Sequence, residues 1–288
     1  MRSPLWIGPR HWILESLASS DGLRVRRLRR GDEAAAALAR ASGAHGVYVN
    51  NALMEARVDG AVFEVDGAAA GAAWFGPRGN LVVVSDERLA EFRQQVAAHV
   101  IRSRCGWRIM LGAAPLVDAV AEQIQRPALA HRDQVYYVGG RADADAGLVR
   151  ADVREAARED RERLARATLA LNASDLNIAP ERVDRRWLYS TIDARTRDGS
   201  TRVLGPVGGI WAKLDFGSVG AAGCVLEGVF TFPEQRGRGL GAQLVATCMS
   251  RADVGVSLHV AEHNDAARRC YERAGMAEAG RCRLLLLS

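Results

Sequence analysis

The stretch Phe232-Pro233-Glu234-Gln235-Arg236-Gly237-Arg238-Gly239-Leu240-Gly241-Ala242 decides how this chain is read. An apolar run of strand character, residues 224–232, stops at Pro233, and a helical apolar pattern, residues 242–252, follows Gly241. A Gly/Arg turn that opens a helix presents backbone N–H groups with no partner inside the helix, and the positive end of the helix dipole stands behind them. Such a start takes an anion, above all a phosphate or pyrophosphate, and Arg236 and Arg238 add charge-assisted donors. A nucleotide P-loop is excluded, because no Gly-Lys-Ser/Thr follows. A dinucleotide fingerprint is formally matched by Gly237-Arg238-Gly239-Leu240-Gly241-Ala242, with Glu262 lying 20 residues beyond Ala242. Two features oppose it. Residues 233–236 separate the strand from the first glycine, where that fingerprint needs a tight turn, and the 36 residues after Ala252 are too few for the remaining units of a doubly wound sheet.

Outward from the turn, residues 150–171 read as a long charged helix carrying Leu164, Ala167 and Leu171 on one side, and residues 181–195 as a second helix with Trp187, Leu188 and Ile192. Asp198-Gly199 marks a turn before strands at 201–204 and 209–216. A strand at 256–261, a helix at 264–274 and a last strand at 281–287 complete the order α-α-β-β-β-α-β-α-β. Strands alternating with helices imply parallel pairing and the earlier hairpin implies antiparallel pairing, so the expected class is α/β (α+β), a mixed central sheet flanked by helices.

Arg236-x-x-Gly239-x-Gly241 resembles the R/Q-x-x-G-x-G/A signature of the GNAT superfamily, the acyl-CoA-dependent N-acyltransferases. Leu226-Glu227-Gly228-Val229-Phe230-Thr231-Phe232-Pro233 looks like the strand that precedes that loop. Asn264-Asp265-Ala266-Ala267-Arg268-Arg269-Cys270-Tyr271-Glu272-Arg273-Ala274-Gly275-Met276 looks like the family's N-x-x-A-x-x-x-Y-x-x-x-G-F helix, with Met276 where Phe is usual. The resemblance covers about residues 150–288.

The resemblance implies a V-shaped gap between strands 224–232 and 256–261 that takes the pantetheine arm of acetyl-CoA. Val229, Phe230 and Thr231 would supply main-chain contacts to it. Arg236, Gly237, Arg238, Gly239, Leu240, Gly241 and Ala242 would hold the pyrophosphate. Asn264 would reach the pantetheine arm; by residue type it is equally a helix N-cap. The implied reaction, attack of an amine on a thioester, needs a base for the amine and an acid for the departing thiolate. Tyr271 stands at the family's usual acid position, and a phenol is protonated at neutral pH; the competing reading is a packed core tyrosine. Glu227, nine residues before Arg236, is the base candidate, at a position where some members, including polyamine acetyltransferases, carry a strand Glu. An unpaired carboxylate among Leu226, Val229 and Phe230 is costly to bury, so an outward or salt-bridged Glu227 is the alternative, with His259 as reserve base. Cys270 reads as a core residue. The implied activity is an N-acetyltransferase moving acetyl from acetyl-CoA directly to a primary amine; the alternative is a catalytically weak acyl-CoA-binding sensor or assembly module. The acceptor, a small-molecule or peptide amine, is not written in residues 172–180 or 277–281, although Asp175 could attract an amine.

The first half reads as a worn copy of the same order. Strands at 61–65 and 69–75 flank the Asp66-Gly67 turn, followed by a strand at 80–85, a helix at 86–103, a strand at 108–111, a helix at 116–125 and a strand at 134–138. No R-x-x-G-x-G loop occurs there, and the nearest glycine turn, residues 75–80, is misplaced. The polar seam at 139–147 divides a degenerate GNAT-like module, 1–140, from a catalytic domain, 149–288, as in bacterial two-module GNAT proteins.

Composition agrees with this. The 288 residues are 48% hydrophobic and 25% charged, ordinary for a globular chain. The net charge is +5, and of 39 basic residues all but Lys213 are Arg, interleaved with Asp and Glu, so nucleic acid is not expected as a partner despite the basic cluster at 24–30. Five cysteines without a C-x-x-C, and histidines without ligand spacing, imply no disulfide framework and no metal. No apolar run is long enough to span a bilayer, and residues 1–17 show no signal-peptide pattern, so the expectation is a cytoplasmic monomer or homodimer.

Overall fold

The computed structural model describes residues 22–288 except Arg57, Arg78, Arg104 and Cys105. The readings of residues 1–17 and of Cys105 lie outside these.

The first half runs β1 (Leu23–Arg27), α1 (Glu33–Ala41), α2 (Gly46–Met54), β2 (Gly60–Val65), β3 (Ala68–Phe75), β4 (Asn80–Ser85), α3 (Arg93–Arg102), β5 (Ile109–Gly112), α4 (Ala114–Gln123) and β6 (Ala128–Gly139). The second repeats that order: β7 (Arg154–Glu155), α5 (Arg161–Leu176), α6 (Arg185–Arg197), β8 (Thr201–Leu204), β9 (Ala212–Gly220), β10 (Gly223–Thr231), α7 (Leu240–Ser250), β11 (Val256–Ala261), α8 (Asp265–Ala274) and β12 (Ala277–Leu287). The twelve strands of the described residues form one sheet, in the order β1-β2-β3-β4-β5-β12-β6-β11-β10-β9-β8-β7. The last strand of each half is thus exchanged: β12 pairs with β5, β6 pairs with β11, and β6 and β12 pair with each other, all antiparallel. The seam after Gly139 packs against the end of α8, where the amide of Asp145 donates to Ala274 O and an added Cβ at Gly275 would stand 1.9 Å from Asp143 O.

Several expected elements differ in their bounds, and two of them, with the basic cluster, show why. The expected helix over 150–171 begins only at Arg161. Before it, Arg154 and Glu155 pair with β8 as an edge strand, and the fully buried Asp160 carboxylate accepts from Arg154, Ala157 N and Gly208 N, fixing a bend. The expected helix over 86–103 starts with a 3-10 turn, Glu87–Phe92, capped by Asp86. The basic cluster at 24–30 is in part β1, whose Arg26 pairs with Glu64 at 2.6 Å and with Asp32, the cap of α1.

Helices cover both sheet faces. α7 and α8 bury Leu240, Leu244 and Ala274 against Leu226, Leu258 and Tyr137. On the opposite face, α5 and α6 bury Leu164, Leu188 and Ile192 with Val203 and Phe230, while α1 and α2 bury Ala35, Val49 and Leu53 with Val225, Tyr136 and Leu284. Alternation along a strand puts adjacent residues on opposite faces, which places Val225 and Leu226 in different layers.

Candidate functional site

β10 and β11 run parallel but pair only at Cys224–Val256 and Val225–Ser257. Beyond that point β10 stays bonded to β9, with irregular register between Val225 and Leu226 and again between Glu227 and Phe230. β11 stays bonded to β6 along its length. The two strands therefore part, and the edge of residues 226–231 that faces β11 forms no ladder there.

That edge leads into the Gly/Arg turn. A 3-10 turn, Pro233–Gln235, is followed by Gly237 and Gly239 with φ of 77° and 72°, the left-handed region glycine adopts without cost. Gly239 caps α7 with no side-chain hydrogen bond, so the first amides of the helix have no internal partner. No heavy atom lies within 4 Å of where a Cβ of Gly237 would stand. Leu240 and Ala242 bury their side chains in the core, leaving backbone at the turn. Arg236 Nε donates to Thr231 O at 3.2 Å, and Arg238 donates to Gln235, its guanidinium 5.4 Å from the Trp211 ring centroid. A third arginine, unnoticed in the sequence, joins them: Arg273 Nη1 stands 3.2 Å from the Cβ position of Gly239. Its signal was a basic residue two positions after Tyr271. Cys270 Sγ packs 3.0 Å from the Cβ position of Gly241, and burial pushes its thiol up to about 11, as for a packing residue.

Tyr271 is buried, its ring centroid 5.8 Å from that of Tyr137. Burial, with smaller contributions from Cys270 and Asp175, raises its phenol above the ordinary tyrosine range and keeps it protonated. Asn264 caps α8, its Oδ1 accepting from Ala267 N at 3.1 Å.

Glu227 lies at the β10 irregularity, part-buried and ion-paired, which is the salt-bridged alternative. Its Oε1 accepts from the Tyr48 hydroxyl at 2.9 Å, and Arg195 Nη2 lies 3.3 Å from Oε2. Gly217 makes room for it; a Cβ there would stand 2.1 Å from Glu227 Cδ. Behind it runs a buried ionic chain. Arg195 Nη1 lies 2.8 Å from Asp215 Oδ2, Lys213 Nζ lies 2.6 Å from the same oxygen, and Thr201 Oγ1 donates to Oδ1 at 2.6 Å. Burial opposes charge on Asp215, but Lys213, Arg195 and the hydrogen bonds outweigh it and hold the carboxyl below the usual carboxylate range. Lys213 is 3% exposed, and the sequence signal for this cluster was the one lysine set two residues from an aspartate in an apolar strand.

His259, on β11, is half-buried and edge-on to Tyr136; desolvation lowers its basicity, the charge of Glu227 opposing and that of Arg132 adding to it, so it is neutral at neutral pH. His45 stacks on the other side of Tyr136 at 5.3 Å, and burial pushes it down to about 4. Among the described residues no group of His, Cys, Asp and Glu could hold a metal ion, and no helix is long and apolar enough to cross a membrane.

The parallel strands of this mixed sheet part above a glycine turn whose amides have no side-chain cap. Residues 167–276 match the acetyltransferase (GNAT) family model. Solved structures show the same fold over most of the chain. An acetyltransferase of the GNAT family from Colwellia psychrerythraea is similar at 12% identity and a TM-score of 0.52, covering 92% of this chain and 99% of its own. A GCN5-related N-acetyltransferase from Sphaerobacter thermophilus is similar at 18% identity and a TM-score of 0.55, covering 92% and 95%. No curated protein matches the chain.

Proposed function

We propose that this protein is an N-acetyltransferase that moves an acetyl group from acetyl-CoA directly to a primary amine of a small-molecule or peptide acceptor, without a metal. Residues 149–288 form the catalytic domain, and residues 1–140 a GNAT-like half without a cofactor turn of its own. The observation that carries this reading is the open edge of β10 running straight into uncapped amides ringed by Arg236, Arg238 and Arg273. Such a surface suits an extended amide-bearing arm that ends in a pyrophosphate. Val229, Phe230 and Thr231 would offer backbone to the arm, the backbone of residues 237–242 would take the phosphates, and Asn264 would offer its amide group, since its oxygen serves the cap.

Acetyl-CoA would supply the activated acyl thioester. The Glu227 carboxylate would accept a proton from the attacking amine, and the Tyr271 O–H would donate one to the departing sulfur. We assign the protein to the cytoplasm, where Cys224, Cys248, Cys270 and Cys282 stay as the free thiols seen here.

The test is thiol release from acetyl-CoA in the presence of spermidine, an aminoglycoside, single amino acids and short peptides. Amine-dependent release with transfer to nitrogen is expected. Thermal stabilisation by acetyl-CoA without release by any amine would favour the sensor or assembly reading, and neither response would refute the site.

A further inference from the structure

We infer that Tyr48, from the first half of the chain, is a positioning residue of the active site, orienting the Glu227 carboxylate from across the junction between the halves. This rests on the reading of Glu227 as base. Among the described residues each carboxylate oxygen of Glu227 has one partner, and the two come from different halves: Tyr48 on α2 at Oε1 and Arg195 on α6 at Oε2. Tyr48 is 5% exposed and stacks at 6.4 Å on Trp74 of β3, so its hydroxyl is set by the core of the first half.

One turn further along α2, Asn51 locks the helix to the hairpin that carries Glu227. Its Nδ2 donates to Ser218 Oγ at 3.0 Å and to Gly223 O at 3.1 Å, and its Oδ1 accepts from Ala222 N at 3.2 Å. Gly217 and Gly228 leave the space this needs: a Cβ at Gly217 would meet Glu227, and one at Gly228 would stand 2.8 Å from Lys213 Nζ. The groups facing Glu227 are therefore Tyr48 from α2, Arg195 from α6 with Asp215 and Lys213 of β9 behind it, and His259 from β11, whose neutral ring adds no charge.

Arg195 divides its charge between two carboxylates and fixes only Oε2. The phenol fixes the other oxygen through a hydrogen bond. Without it the carboxylate is free to turn. The first half is then part of the catalytic centre through α2, without a cofactor site of its own.

The experiment uses the full chain as wild type, Tyr48→Phe, Glu227→Gln, the double variant and Asn51→Ala. Infrared difference spectroscopy, with Glu227→Gln identifying the Glu227 carboxylate band, reads the hydrogen bonding of that carboxylate with no acceptor present. Tyr48→Phe should shift the band, while Asn51→Ala, which loosens α2 without removing the phenol, should lower thermal stability and leave the band in place. With acetyl-CoA and the amine that releases thiol fastest, Tyr48→Phe should lower kcat about tenfold, the scale of one hydrogen bond to a charged group. KM for acetyl-CoA should hold, and the Glu227→Gln background should abolish the effect. An unmoved carboxylate band in Tyr48→Phe overturns the inference. If Glu227→Gln loses the rate while Tyr48→Phe does not, only the positioning role fails; if Glu227→Gln keeps full rate, the base assignment fails and takes this inference with it.

Discussion

The two halves place the same elements in the same order and differ at the point where the second half carries its candidate chemistry. In the second half, β10 enters α7 through glycines of positive φ, with bare amides and three arginines. In the first half the corresponding passage from β4 to α3 is a 3-10 turn that begins at Asp86, whose carboxylate accepts from Arg88 N at 3.0 Å and pairs with the Arg88 guanidinium. A fixed anion already occupies the place where an anionic ligand would sit. The sheet differs in the same way. Ala72, Ala73, Val82, Val83 and Val84 at the centre of β3 and β4 are fully buried and apolar, whereas β9 brings Lys213 and Asp215 inside, with the half-buried Glu227 of β10 at the end of the chain. Burying such a chain is costly unless it is paired, and an apolar replacement is often at least as stable. Its presence in one half alone points to chemistry there and to packing in the other.

The largest effect that would sharpen this contrast is catalytic. Tyr271→Phe removes only a hydroxyl, and kcat should fall about 10²–10⁴-fold with little change in acetyl-CoA affinity. Full kcat on a good amine would mean that the thiolate leaves unaided and that Tyr271 is a core residue like those of the first half.

Next is the ionic chain. Lys213→Met leaves the Asp215 carboxylate with Arg195 as its remaining cationic partner, and urea unfolding should show a loss of about 3 kcal/mol. A neutral outcome would show that the charged interior of β9 is no more constrained than the apolar interior of β3.

The smallest effect tests the first half's turn. Asp86→Ala removes a helix cap and should cost about 1 kcal/mol of stability, leaving acetyl-CoA affinity by calorimetry unchanged. A gain of a second binding event would show that the capped turn is a suppressed cofactor site.

The second half was legible because its signals are local. The Gly/Arg turn, the Asp198-Gly199 turn and the apolar strands 201–204 and 256–261 each declare themselves within a few residues, and the strands carry those bounds in the structure. The first half hid β1 inside an arginine run, since Arg26 is held by Glu64 and Asp32 rather than by a ligand. Its α1 is mostly Ala, and α1 and α2 are only nine residues each, too short to present a long apolar stripe. The exchange of β6 and β12 could not be read, because both strands are suited to either partner and the choice is made by contacts far apart in sequence. The same holds for the candidate site. Glu227 and Tyr271 stand out by motif, but Tyr48 and Arg195 reach Glu227 from 179 and 32 residues away.

The central claim is that one half of the chain, and one turn within it, holds acetyl-CoA. Titration calorimetry of acetyl-CoA into the wild type and into Gly239→Asp tests it directly. The substitution puts a side chain at a φ of 72° and a negative charge at the start of α7. The account predicts one site per chain in the wild type and a loss of affinity of at least about 100-fold in the variant, which keeps its fold by circular dichroism. Two sites per chain, or unchanged affinity in the folded variant, would contradict it.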